Sequence, residues 1–324
     1  MLGGQSWSLL TPNRKGLSAI PSDLFFTQAI DVNYVNGLTW TRQPGVRLLY
    51  HASDKFTAGI SFEQPEQYIG GAAGASTITL PTAYAALLGT GASAGAASNT
   101  QLNNGTNNLN TATKVPDTIV KLAFDPSAKA HIEFAGLISG FRVANPASPF
   151  ATQSTVGGGA AVNVNFEIAK GLRVVSNNFY SQGGGRYLFG QAPDLIINGD
   201  GSIGLVKSRS TLDGLEYTYK KTLLYGYYGG VFIDRAISID PANNKPVGYG
   251  FGGSNQNRSI SEVTFGLNQT LYKSPRYGAF NFMVQYEWLK RNLWYFNPGA
   301  PGNASDNAVY VNFRYTLPGE MPKF

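Results

Sequence analysis

The side chains that usually carry chemistry are scarce in this sequence. There is no cysteine, so thiolate metal sites and disulfides are absent, and only two histidines occur, His51 and His131. Gly91-Ala92-Ser93-Ala94-Gly95 matches the spacing of a nucleophile elbow. That motif needs a strand-to-helix turn and a nearby histidine, whereas this copy lies in an Ala/Gly/Ser-rich stretch. Gly183-Gly184-Gly185 matches no phosphate-binding spacing. Asn198-Gly199-Asp200-Gly201 has Ca²⁺-compatible residues, but tight turns use the same ones. No catalytic constellation, metal site or cofactor is expected. A hydrolase using Ser93, or another serine close to His51 or His131, is the weakest functional reading.

What remains is a set of well-spaced charges. The chain carries 25 Lys and Arg against 19 Asp and Glu, a net charge of +6 that suits anionic partners. The basic residues are scattered singly, with no run to follow a phosphate backbone, so nucleic acid is not the expected partner. Channels work with such charges: a few fixed cations in a narrow passage concentrate anions and exclude cations.

The elements that would position these charges read as β-strands. Charged residues make up only 14% of the 324 residues, aromatics reach 13%, and there are 39 glycines. No apolar run is long enough for a transmembrane helix, and mean hydropathy is −0.14. A barrel strand meets lipid with every second side chain only, which keeps its average near neutral. Period-2 alternation recurs in segments of about ten residues, the length that crosses a bilayer as a tilted strand. Val309, Val311, Phe313 and Tyr315 alternate with Tyr310, Asn312, Arg314 and Thr316. Phe280, Phe282, Val284, Tyr286 and Trp288 alternate with Asn281, Met283, Gln285 and Glu287. Similar segments lie at 56–62, 119–124, 162–168 and 263–271, and further strands are predicted near 2–9, 44–51, 129–139, 171–180, 211–220 and 222–232.

Connections alternate short and long. Short turns fall at 52–55, 125–128, 170–171 and 273–276. Long polar connections are predicted near 10–43, 64–116, 140–158, 181–210, 233–259 and 289–307. That regularity describes an up-and-down barrel with all its long loops at one end. The expected fold is a single all-β domain over 1–324, an antiparallel transmembrane β-barrel of about twelve strands. Residues 64–116 are expected to be a long extracellular loop, mobile over its low-complexity part. Tyr217, Tyr219, Tyr225, Tyr227, Tyr228, Trp288, Trp294 and Tyr295 crowd strand ends, where interfacial girdles would lie. Met1-Leu2-Gly3-Gly4-Gln5 has no signal-peptide pattern, so a barrel reading implies further N-terminal sequence.

Parity puts Arg47, His51, Lys121, Arg173 and Arg314 on the lumen face. Arg47, Arg14 and Arg42 are candidates for a basic rim that guides carboxylates, with Lys15 beside it and Asp23 and Asp31 as counter-charges. The alternative is that each cation pairs with a lumen carboxylate such as Glu63 or Glu133.

A series of short motifs resembles the DcaP-like outer-membrane porins. Gly4-Gln5-Ser6-Trp7-Ser8, Ala19-Ile20-Pro21-Ser22-Asp23, Arg42-Gln43-Pro44-Gly45-Val46-Arg47 and Phe62-Glu63-Gln64-Pro65-Glu66 come first. Asp117-Thr118-Ile119-Val120, Ala135-Gly136-Leu137, Gly185-Arg186-Tyr187-Leu188 and Leu224-Tyr225-Gly226-Tyr227 follow in order. The resemblance implies a 16-stranded homotrimeric porin of a Gram-negative outer membrane, in contact with lipid and lipopolysaccharide. It also implies passage of small anions such as dicarboxylates, with residues 10–43 as a constriction loop and four strands beyond these twelve. Barrels of this kind end on an aromatic residue. Here the last strand is read as ending at Leu317, so Phe324 is offset. A non-channel barrel acting as adhesin or anchor is the alternative function.

Overall fold

A computed structural model describes residues 1–32, 34–70, 77–87, 102, 113–145, 148–251 and 256–318. The first strands are β1 (Leu2–Trp7), β2 (Arg42–Ser53), β3 (Phe56–Glu63), β4 (Asp117–Ser127), β5 (Ala130–Asn145), β6 (Ser148–Ala169) and β7 (Leu172–Gln182). A small hairpin, β8 (Leu195–Ile197) and β9 (Ile203–Leu205), precedes β10 (Lys207–Tyr219) and β11 (Thr222–Ile233). A second hairpin, β12 (Ala236–Asp240) and β13 (Lys245–Tyr249), precedes β14 (Asn257–Ser274), β15 (Gly278–Leu293) and β16 (Asn303–Thr316). Helix is confined to a short α1 (Thr82–Leu87) and one 3-10 turn at Gly185–Tyr187 among the described residues.

Twelve strands form one antiparallel sheet in the order β1-β2-β3-β4-β5-β6-β7-β10-β11-β14-β15-β16. Sequential neighbours pair throughout, which makes the sheet an up-and-down meander. They correspond one for one to the twelve predicted strands. Among the described residues, β1 and β16 each pair on one side only.

Alternation explains the pairing. Between β15 and β16 the register sets Phe280 opposite Tyr315, Phe282 opposite Phe313, Val284 opposite Val311 and Tyr286 opposite Val309. These pairs share one face, where Phe282 and Phe313 lie 5.2 Å apart. The other face carries Asn281 with Arg314, Met283 with Asn312 and Gln285 with Tyr310. A one-residue slip would exchange the two faces, so the pattern specifies the register.

The polarity of the two faces is the reverse of a water-soluble sheet. In β4, Val120, Leu122 and Phe124 are exposed while Ile119, Lys121 and Ala123 are buried. The same holds across the sheet. Val46, Leu48, Phe62, Phe134, Val162, Leu215, Leu224 and Phe265 are exposed on the outer face. Arg47, Glu63, Glu133, Asn163, Glu216 and Glu262 are buried on the inner one.

The inner face is covered by the segment between β1 and β2. Leu9, Leu10 and Leu17 join an apolar cluster with Leu137, Phe141, Tyr187, Leu188 and the β8 residues. Phe25, Ala29, Val35 and Leu38 form a second cluster with Val175, Leu212, Tyr225 and Tyr227. Close approach to the wall requires glycine: a Cβ at Gly229 would sit 1.9 Å from the carbonyl oxygen of Asn36. Gly37, at φ +89°, would place its own 2.0 Å from the carbonyl of Thr211.

Two expectations change, and one long connection shows buried contacts. The predicted long connection at 140–158 is strand for most of its length, because Phe141 and Val143 find buried apolar surroundings and carry the alternation on. Tyr225 and Tyr227 belong to the inner face, not to a girdle, with hydroxyls bonded to Gln285 and Glu216. Described parts of 64–116 pack inward, with Tyr68, Ile69, Ile78, Leu80, Tyr84 and Leu102 buried. The rest of its low-complexity stretch lies outside the described residues, as does the end of the chain beyond 318.

Candidate functional site

A segment with little regular structure, crossing a sheet, leaves its backbone polar groups in need of partners. Here the wall supplies them. Carboxylates accept from the segment's amides: Glu63 from Leu9 at 2.8 Å, Glu133 from Asn13 at 3.0 Å, Asp125 from Gly16 at 3.0 Å and Glu262 from Asn36 at 2.9 Å. Gln285 accepts from Ile30 at 2.6 Å, and the Tyr227 hydroxyl from Gln28 at 2.9 Å. Cations donate to its carbonyls, Lys121 to Thr11 at 2.8 Å and Arg314 to Ile30 at 3.2 Å, and Arg47 donates to Trp7 at the end of β1.

The sequence-predicted cations therefore have specific duties. Lys121, fully buried, also bonds Glu133 at 2.9 Å and the Asn13 side chain at 3.1 Å. Arg14 makes a two-pronged pair with Glu216 at 2.6 and 2.9 Å and donates to the Phe26 carbonyl. Burial works against the Arg14 charge, but Glu216 outweighs it and holds the guanidinium above its ordinary value. Lys15 is exposed and 3.3 Å from Asp23, which accepts from the Ser18 hydroxyl at 2.7 Å. Arg173 donates to Asn165 at 2.7 Å and lies 3.6 Å from Glu167. Arg42 is exposed, 5.1 Å over the Trp7 ring, and register places it on the face opposite Arg47. Arg14, Lys15, Asp23 and Arg173 border one cavity of about 950 Å³ with His51, Lys55 and Asp125 at the short-turn end of the sheet. Arg42 and Arg47 are not among its lining residues.

Asp31, read from the sequence as a counter-charge, meets two carboxylates that the sequence reading did not single out as site residues. Asp31, Glu262 and Glu287 bring carboxylate oxygens within 4.8 Å of one another. Protein donors serve all three: Gln285 Nε2 donates to Asp31 at 2.9 Å and also to Glu287, and Thr264 donates to Glu262 at 2.6 Å. Their signal was present as polar residues on the inner parity of β14 and β15, but the partner segment was not readable from spacing.

A second buried network fixes the loop after β7. Arg186 pairs with Asp117 and lies 3.7 Å from Glu66, and the Tyr187 hydroxyl donates to Asp117 at 2.8 Å. Asp194 accepts the amides of Arg186 at 2.9 Å and Tyr68 at 3.1 Å. Burial pushes the Asp194 carboxyl up to about 8. Folding then holds a proton that the unfolded chain has released, so Asp194 contributes less stability as pH rises from the ordinary carboxylate range through about 8. Thermal melts at pH values spanning that window should show falling midpoints. Asp194→Asn is expected to melt lower at every pH but with a flatter slope. An unchanged slope would contradict the assignment.

The enzyme-like patterns gain no support. Residues 91–95 lie outside the described residues. His51 faces Thr57 at 3.1 Å and His131 faces Asp125 at 2.7 Å. Asn198–Gly201 is the turn of the β8–β9 hairpin, and Asp200 spends its Oδ1 on the Ser202 amide and hydroxyl at 2.9 and 2.6 Å.

No protein-family model matches the sequence, and no curated protein matches it. Two solved structures are similar in fold. One is described as the NanC porin structure in rhombohedral crystal form, with a TM-score of 0.34 and 9% identity. The match covers 85% of this chain and 93% of that one. The other is described as the CymD monoaromatic hydrocarbon channel, with a TM-score of 0.36 and 8% identity, covering 86% of this chain and 74% of that one. Likeness at this level carries nothing about what this chain transports or binds.

Proposed function

We propose that this chain forms a porin-type channel of a bacterial outer membrane, passing small hydrophilic solutes with a preference for anions such as dicarboxylates. One observation carries the reading: a twelve-stranded meander exposes its apolar face and buries its polar one. Exposed Leu, Val and Phe over many strands are unfavourable in water and favourable against hydrocarbon. The segment between β1 and β2 then serves as the constriction, and strands joining the β1 and β16 edges complete a trimeric porin's barrel. The anion preference draws on the net charge of +6 and on Lys15, Lys55 and Arg173 around the cavity at the short-turn end. Catalysis has no part in this reading.

A second reading, a non-conducting barrel that anchors external loops as an adhesin, is favoured by the two apolar clusters packed against the inner face. Single-channel recording in a planar bilayer under a KCl gradient separates them. The expected result is conductance in three equal steps with a reversal potential displaced toward the chloride value. Silence from a folded, inserted preparation would sink the channel and favour the anchor. A reversal toward potassium would remove the anion preference alone.

A further inference from the structure

The meander brings five short turns to one end of the sheet, between β2 and β3, β4 and β5, β6 and β7, β10 and β11, and β14 and β15. Each of them carries exposed positive charge. Lys55, Lys129 and Lys170 stand in the first three. The fourth has Lys220 with Lys221, and the fifth has Lys273 with Arg276. Opposing charge is sparse there. Asp54 is exposed beside Lys55, Asp125 is engaged by His131 and the Gly16 amide, and Glu167 lies 3.8 Å from a Lys129 that stays 65% exposed.

The outer face beside these turns carries aromatic rings. Tyr50, Phe124, Tyr219, Tyr272, Tyr277 and Tyr315 are all exposed at that end. Two cations lie over such rings, Lys220 at 5.2 Å from Tyr219 and Arg276 at 5.2 Å from Tyr277. Amphipathic rings with cations just beyond them fit the boundary between hydrocarbon and headgroups.

We infer that this collar binds the phosphates of anionic phospholipid headgroups in the leaflet at the short-turn end, an inference that rests on the membrane reading above. The five turns follow one another along the sheet edge, so each turn meets its own headgroup. Six of the seven cations lie outside the cavity at the short-turn end; Lys55 alone borders both it and the collar. Exposed ammonium groups near an anionic surface act additively and are screened by salt.

The test uses the full chain folded in detergent micelles, with folding confirmed by heat-dependent gel mobility, and native mass spectrometry to count retained lipid. Phosphatidylglycerol is expected to be retained over phosphatidylcholine by at least about tenfold, a preference that weakens as the screening length shrinks from about 10 Å to 3 Å. Replacing all seven cations by glutamine should bring the two lipids to near parity. The smaller Lys220→Gln/Lys221→Gln variant, which keeps the fold safe, should lose part of the preference. Equal retention by the folded parent overturns the collar, as does a preference that survives the sevenfold variant. Displacement of the lipid by millimolar inorganic phosphate would also overturn it, by showing a generic anion site. A chain that is soluble without detergent and binds no vesicle overturns the membrane reading and the collar together. A folded, inserted parent without lipid preference overturns the collar alone.

Discussion

Replacing Lys121 with methionine is expected to destabilise the fold by about 3–5 kcal/mol, the cost of leaving a buried charge without its partner. The ammonium is fully buried, and its three protons go to Glu133 at 2.9 Å, Thr11 at 2.8 Å and Asn13 at 3.1 Å. Methionine fills a similar volume but removes all three bonds. Glu133 would then keep only the Asn13 amide, the Asn163 side chain at 2.9 Å and His131 at 3.1 Å against its charge. The expected readout is a large fall in the denaturant or thermal midpoint, with residues 9–16 becoming cleavable by protease before the sheet unfolds. The Lys121→Met/Glu133→Gln double variant should recover part of the loss, since both buried charges are gone. Lys129 offers the contrast. It stays 65% exposed and 3.8 Å from Glu167, and Lys129→Met should stay within about 0.5 kcal/mol of the parent. A Lys121→Met protein as stable as the parent, with the same protease pattern, would show that the inner segment is held by packing alone.

Much of the sheet was legible because period-2 alternation is a strong signal wherever one face meets lipid. Phe280 through Trp288 and Val309 through Tyr315 put the large apolar side chains on one parity, Met283 excepted, and the structure pairs them in that register. The β11 segment Leu224-Tyr225-Gly226-Tyr227-Tyr228 was harder. Large aromatic residues occupy both parities there, so the girdle assignment of Tyr225 and Tyr227 failed where their hydroxyls reach Gln285 and Glu216. The candidate site was legible to the level of parity and no further. Alternation places Lys121 and Arg314 inside, but their partners are backbone carbonyls of a segment more than a hundred residues away in sequence. Hydrogen bonds to backbone leave no compositional trace. Arg42 and Arg47 read as neighbours in one motif, yet five residues along a strand is an odd step, and they face opposite ways.

The outer face predicts the second large effect, and it separates a membrane wall from an exposed soluble sheet. Leu122 lies near the middle of β4, 41% exposed, with Ala58 and Phe134 beside it on neighbouring strands. In hydrocarbon, Leu122→Arg is expected to cost about 2–4 kcal/mol, because a guanidinium at the bilayer midplane loses its hydration. In water, the same change at an exposed position stays within about 0.5 kcal/mol. Depth supplies the internal control. Tyr219 ends β10 beside the turn lysines, so Tyr219→Arg should cost about 0–1 kcal/mol, as at an interface. The natural sequence already tolerates a cation one residue away, at Lys121, because that side chain turns inward to Glu133. Reversible urea unfolding of both variants in phosphatidylcholine vesicles, followed by tryptophan fluorescence, measures the difference directly. A graded loss, large at Leu122 and small at Tyr219, is the expected outcome. Equal, negligible losses at the two positions would mean that the apolar face meets water and not hydrocarbon.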